Sequence, residues 1–503
     1  MAGMLTRREF SRLLGGGLLG AAMPAFGGTG PTVAAAPSSD DLLSAPVTAI
    51  AAAIRQREVS AAELTLAYLR RIEALNPQLN AIVHVGAEQA MAAARAADAA
   101  LAHGDTAGAL HGVPMTLKDS IDTAGMQTTC GTLGRSRFVP AQDATVAARL
   151  KAAGAVLLGK TNTPELTLSF ETDNLVFGRT KNPFDPDRSP GGSSGGAAAA
   201  VTASLCAFDI GSDTGGSIRV PSHFCGTAGL KPSQGRVPRT GHVVSFGGVH
   251  DQLTQLGPIA RSVADLDLLL RVIAGPDGRD PFVAPVPLGD PAAVGLPGLR
   301  VAWHADNGLF TPTPEIQATT ADAARALQRA GAKLTEAVPP LPGSVDELLD
   351  LYAWMTDGGA WIQRLLDAAG TTTPSPVIAE QIDAAAELGS AELTRILSAR
   401  DAFRASVLTF MEEYDALVTP VVGFPAPLFG ATEDAAHFPG YVYTQVFNLS
   451  GLPAAVVRCG TAPGGLPIGV QVAAQPWRED VALAVALQLE RDFGGWRAPP
   501  DPS

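Results

Sequence analysis

The segment Pro190-Gly191-Gly192-Ser193-Ser194-Gly195-Gly196 opens an alanine-rich run from Gly195 to Leu205. Ala207-Phe208-Asp209-Ile210 follows, and then Gly211-Ser212-Asp213-Thr214-Gly215-Gly216-Ser217-Ile218-Arg219-Val220-Pro221. Alanine is the strongest helix former, and the short apolar run after it suits a buried strand. The stretch therefore predicts a glycine loop, a helix, a strand and a second glycine loop in succession.

The same alternation extends in both directions. Ser60-Ala61-Ala62-Glu63 is a capping box, with Leu64, Ala67, Tyr68 and Ile72 on one helical face, and Asn76-Pro77 is expected to stop that helix. Asp143 opens a helix through Lys151, Gly154 can cap it, and Ala155-Val156-Leu157-Leu158 reads as a buried strand. Leu299 to Trp303 is a further strand, followed by a helix from about Pro314 to Ala330 that Gly331 caps. Helices alternating with short apolar strands predict an α/β fold. We expect a single large domain whose central mixed, mostly covered β-sheet is flanked by helices. The Pro-, Gly- and Asp-rich stretch from Gly275 to Gly298 is a surface connection within it.

Composition narrows the function. The chain has 503 residues, 46% hydrophobic and 17% charged, which is a globular balance. A net charge of −13 disfavours a nucleic-acid partner, and no later run has the length of a membrane span. Thr6-Arg7-Arg8-Glu9-Phe10-Ser11-Arg12 before the apolar Leu13 to Ala25 is a twin-arginine pattern. Residues 1–36 are thus expected to be an export signal with a periplasmic or secreted destination and cleavage near Ala34-Ala35-Ala36, a site that Pro37 disfavours; an uncleaved amphipathic N-terminal helix is the competing reading. Cys130, Cys206, Cys225 and Cys459 lie far apart without a C-x-x-C pair, which argues against a zinc site or a disulfide scaffold.

Chemistry concentrates in the two glycine segments. Consecutive glycines before Ser217 allow several N–H groups to converge on a developing oxyanion, which suits a nucleophile; a tight turn with a solvated serine is the competing reading. All eight histidines lie outside both segments. Lys118, in Gly112-Val113-Pro114-Met115-Thr116-Leu117-Lys118-Asp119, can act as base if burial lowers its pKa; otherwise it is a surface charge. Ser193 matches G-x-S-x-G, the elbow of α/β-hydrolases, although a loop and not a strand precedes it. A phosphate loop lacks its G-K-[ST], and a third reading makes Ser193 a proton relay. No S-x-x-K is present.

Taken together, these segments resemble the amidase signature family, which includes peptide amidases, fatty-acid amide hydrolases and the amidotransferase A subunit. The resemblance runs from about Val59 to Val481 and is densest from Gly112 to Pro238. It includes Gly159-Lys160-Thr161-Asn162-Thr163-Pro164-Glu165, Asn182-Pro183, Ser222 to Gly226, Gly229 to Pro232, Asn448 to Pro453 and Gly465 to Gln471. The resemblance implies a Ser–Ser–Lys triad of Ser217, Ser193 and Lys118, with a cis peptide at Gly192–Ser193. It also implies a supporting hydrogen bond from Ser194 and a bracing pair of Asp213 and Arg219. On this reading the N–H groups of Thr214, Gly215, Gly216 and Ser217 hold the oxyanion, no cofactor or metal is needed, and the partner is a small-molecule amide. Residues 340–445, poorly matched to the family, are expected to shape the substrate pocket. Leu351, Tyr352, Trp354, Met355 and Trp361 there either line it or pack the core. Export argues against a tRNA-linked amidotransferase. The alternatives are a urethane or ester hydrolase on the same triad, a histidine-dependent esterase with Ser193 as nucleophile, and a non-catalytic ligand-binding α/β protein.

Overall fold

A computed structural model describes residues 38–106, 108–244, 251–354 and 356–500. The expected signal, residues 1–36, lies outside these residues, as does Met355. Strands β1 (Ile82–Val85), β2 (Pro114–Lys118) and β3 (Val156–Thr161) form one sheet in the order β1-β3-β2. The remaining strands are β4 (Phe208–Asp213), β5 (Ala228–Lys231), β6 (Gln255–Ala260), β7 (Arg300–Trp303), β8 (Lys333–Glu336), β9 (Ala416–Pro420), β10 (Ala454–Thr461) and β11 (Pro467–Ala474). They form an eight-stranded sheet ordered β4-β6-β5-β10-β11-β9-β7-β8. Pairing is mixed: β2 runs parallel to β3, and β7 parallel to β8 and β9, while β4, β5, β6, β10 and β11 pair antiparallel. The expected mixed α/β single domain is what forms.

The two sheets meet where the site will lie. Ala207, just before β4, donates its N–H to the Pro114 carbonyl at the start of β2 (3.1 Å). All residues of β2 and β4 are buried. Helix α1 (Ala61–Leu79) has the capping box expected at Ser60 and Glu63. It does not stop at Asn76-Pro77, because a proline in the last turn forfeits only one helical bond. The Asn76 side chain ends it instead, accepting the N–H groups of Ala81 and Ile82 and donating to the Ile82 carbonyl, while Asn80 turns left-handed. Helix α2 (Gly195–Thr202) is buried along its whole length, so its glycines and alanines reflect close packing and not only propensity. Helix α3 (Arg219–Cys225) follows Ser217, and α4 (Val442–Ser450) is tied to the end of β4 by Asn448, which donates to the Asp213 carbonyl.

One apolar cluster joins both sheets through Leu117, Ile210, Val457 and Leu489. A second holds Leu351 and Tyr352 against Phe403 and Phe447, and a third holds Trp361 against Ile362 and Leu366. Most of the aromatic stretch therefore packs, in line with the second of its two readings. The region 340–445 also contains β9, which sits inside the large sheet between β11 and β7. All four cysteines are buried free thiols.

Candidate active site

Lys118 ends β2 and is fully buried. Its Nζ lies 2.6 Å from Ser193 Oγ, 3.0 Å from Ser194 Oγ and 2.9 Å from Ser212 Oγ. Burial pushes its pKa down to about 7, with the nearby Asp213 and Asp209 acting the other way. A neutral amine keeps two N–H donors and gains a lone pair, so one hydroxyl of the three can donate to it. Burial in this shell therefore brings the neutral amine within reach near neutral pH.

Ser193 follows a cis peptide, Gly192–Ser193, as the resemblance implied. Its loop is fixed from behind by Thr172, which donates to the Gly191 carbonyl (2.7 Å) and accepts the Gly195 N–H (3.1 Å). Asn182 also donates to the Ser189 carbonyl (2.9 Å). Gly192 is required by close approach: a Cβ there would stand 2.5 Å from the backbone of Ser169 and Phe170. Ser194 donates its N–H to the Ser217 carbonyl (3.2 Å) and its hydroxyl to the Ser212 carbonyl (3.2 Å). This couples the two serine segments.

Asp213 organises the second segment. It accepts the N–H groups of Gly216 (2.9 Å) and Ile218 (3.1 Å) and pairs with Arg219 (2.9 Å), both side chains being fully buried. Burial alone would raise its carboxyl, but the Arg219 guanidinium and the Asn448 amide hold it at about 2. Arg219 is anchored further by the Thr444 carbonyl and Gln471 Oε1, both at 2.8 Å. The pair read as a brace is thus the centre of a network that includes α4. Gly216 needs its glycine: φ is 137°, and a Cβ would meet Thr444 Oγ1 at 2.5 Å.

The structure corrects one assignment. The Gly216 N–H is already given to Asp213, so it does not point at an oxyanion. Thr214, Gly215 and Ser217 remain as the donors of the turn. Ser217, 7% exposed, sits at its open end beside the half-buried Thr214 and Gly215.

Ser212 was missed because serine in a strand has no signature of its own. The signal lay in valence: a buried amine bears several hydrogens and needs as many acceptors. Among the described residues, no histidine is hydrogen-bonded to Lys118 or Ser193. Burial pushes His223 down to about 4 while its ring accepts the Gly469 N–H (2.8 Å), and the partner of the Ser193 hydroxyl is Lys118.

Comparison with known proteins points the same way. A family model described as Amidase matches residues 63–483. The chain is 38% identical to the A subunit of glutamyl-tRNA(Gln) amidotransferase from Synechococcus sp. (strain WH7803), over 86% of this chain and 94% of that one. Among solved structures it is similar to 6-aminohexanoate cyclic dimer hydrolase, with 31% identity, a TM-score of 0.82, and coverage of 91% of this chain and 99% of that one. It is also similar to the peptide amidase of Stenotrophomonas maltophilia, with 30% identity, a TM-score of 0.77 and the same coverage.

Proposed function

The chain belongs to the amidase family of enzymes that cleave amide C–N bonds, and on that footing we propose that it hydrolyses carboxylic amides through an acyl-enzyme on Ser217. The observation that carries the reading is the buried Lys118, held near neutrality with Ser193 Oγ 2.6 Å from its Nζ. Neutral Lys118 takes the Ser193 proton as Ser193 takes that of Ser217. The Ser217 oxygen bonds to the amide carbon, and the carbonyl pair moves to oxygen. The N–H groups of Thr214, Gly215 and Ser217 hold that oxyanion, each worth about 3 kcal/mol by comparison with other oxyanion donors. Collapse breaks the C–N bond while Ser193 returns the proton to the leaving amine. Water then attacks the ester by the same relay, releasing the acid.

A fluorophosphonate probe tests the assignment. Label should map to Ser217 and be lost in Ser217→Ala, and Lys118→Ala should reduce kcat by about 10²- to 10⁴-fold. Label on Ser193, or full activity of Lys118→Ala at neutral pH, overturns it. The acyl chemistry extends to urethanes and esters, and the substrate class includes small, aryl or peptide amides. Export by the twin-arginine route belongs to the same reading. Replacing Arg7 and Arg8 by lysine should retain the protein in the cytoplasm, detected by fractionation.

A second reading rests on the 38% identity over 94% of an amidotransferase A subunit. The chain would then supply ammonia within an assembly acting on glutamyl-tRNA(Gln). Net charge −13 and the twin-arginine segment weigh for the free hydrolase.

A further inference from the structure

The two sheets are fastened to each other by a carboxylate that the proposed relay leaves out. Asp209, on β4, is fully buried. Its Oδ2 accepts the hydroxyl of Thr116 on β2 (2.6 Å) and that of Thr161 on β3 (3.0 Å). Thr116 lies on the same face of β2 as Lys118, and Thr161 is the register partner of Lys118 across the small sheet. Strand β4 also supplies Ser212 to the Lys118 Nζ (2.9 Å). One side chain of the large sheet thus brackets both strands whose ends meet at the lysine.

Hydrogen bonding leaves this carboxylate half answered. Both hydroxyls reach Oδ2, and among the described residues Oδ1 is buried with no hydrogen-bond partner. A carboxylate buried in this way is tolerated where cationic side chains face it. Lys160 acts on it from β3 and Lys118 from β2, both favouring its ionised form. The Cys206 thiol lies 3.1 Å from Thr116 Oγ1 and is pushed up to about 12, while Arg261 beside it bonds the Val201 and Cys206 carbonyls. Helix α1 adds Tyr68, also pushed up to about 12, and Arg71, which bonds the Ala203 carbonyl. Helix α2 brings no titratable side chain. Asp119 accepts Thr129, Asp122 pairs with Arg135, the Cys130 thiol is pushed up to about 12, and His242 is pushed down to about 3. Of the two carboxylates that act on Lys118, Asp213 is committed to Arg219, whereas Asp209 holds only hydroxyls.

Burial pushes the Asp209 carboxyl up to about 6, still below the value of about 7 at Lys118. Its charge is therefore present where the lysine exchanges its proton. We propose that Asp209 is a positioning residue: its carboxylate brackets β2 and β3 at Lys118 and supplies the negative charge that keeps this lysine basic enough to draw a proton from Ser193. This rests on the reading of Lys118 as the base and assigns what sets its strength. Without the charge, the ammonium loses its counter-ion and gives up its proton at lower pH.

The test reads the rate of fluorophosphonate labelling at Ser217 against pH in the full chain. With the native protein the rate should rise through about 7. In Asp209→Asn, whose amide keeps an oxygen for both threonines, that midpoint should fall by about half a pH unit or more. Asp209→Glu keeps the charge and should hold the midpoint at the native value even where labelling is slower. The midpoint does not depend on how much of a variant is folded. Slower labelling of Asp209→Asn with an unmoved midpoint shows a structural role alone and overturns the inference. Should Asp209→Asn yield no folded protein, Thr161→Val decides, because it withdraws one of the two hydroxyls that hold the carboxylate ionised. Its midpoint should move the same way by less, and an unmoved one overturns the inference. A native rate with no rise through neutral pH would instead overturn the reading of Lys118 as the base.

Discussion

At the scale of the residue, the proposed mechanism makes Lys118 the group that sets the pH dependence. Burial moves it from the ordinary lysine range to about 7, and the proposed mechanism uses the neutral form. Activity should therefore rise with pH through about 7 and fall below it as the ammonium forms. A pH profile of kcat/KM checks this, and the acid limb should vanish in Lys118→Ala along with most of the rate. Asp213 makes the opposite demand. Its carboxyl, held at about 2, contributes stability that is present above the ordinary aspartate range and lost as pH falls toward about 2. Asp213→Asn leaves Arg219 buried with only neutral partners, and removing one member of such a pair costs about 3–5 kcal/mol. A lowered denaturation midpoint at neutral pH is the expected result. The lysine and the serines were legible as residue types, because few side chains can replace a histidine base. Their charge states were not, because burial belongs to the surroundings.

Elements bring these residues together. Strand β2 delivers Lys118 and β4 delivers Ser212, which meet because Ala207 joins the strands at the boundary between the sheets. Helix α4 then clamps the Asp213–Ser217 segment through Thr444 and Asn448. Gly216→Ala should break that clamp, since the new methyl would have to displace the Thr444 hydroxyl, which shares its hydrogen between the Gly215 and Tyr441 carbonyls. Loss of fluorophosphonate labelling at Ser217, with a folded circular-dichroism spectrum, is the expected outcome. The helix–strand succession around residues 195–213 could be anticipated from propensity and spacing. The end of α1 was displaced by three residues, because the Asn76 side chain and not Pro77 terminates it.

For the whole molecule, the matched region extends over residues 63–483. Purified protein with no added partner should release amine or ammonia from a carboxylic amide, measured by coupled ammonia detection. Activity only in the presence of amidotransferase partners would favour the second reading. The amino-acid sequence by itself determined the fold class, the pairing of Lys118 with Ser193 as candidates, and the glycines that let backbone approach backbone. These follow from local rules: period, propensity, and the few residue types that can do acyl transfer. Only the tertiary structure decided that Gly216 spends its N–H on Asp213 and that Ser212 completes the shell of Lys118. Each depends on where distant strands and helices place their polar atoms, and hydrogen-bond valence is settled only once every neighbour is in position.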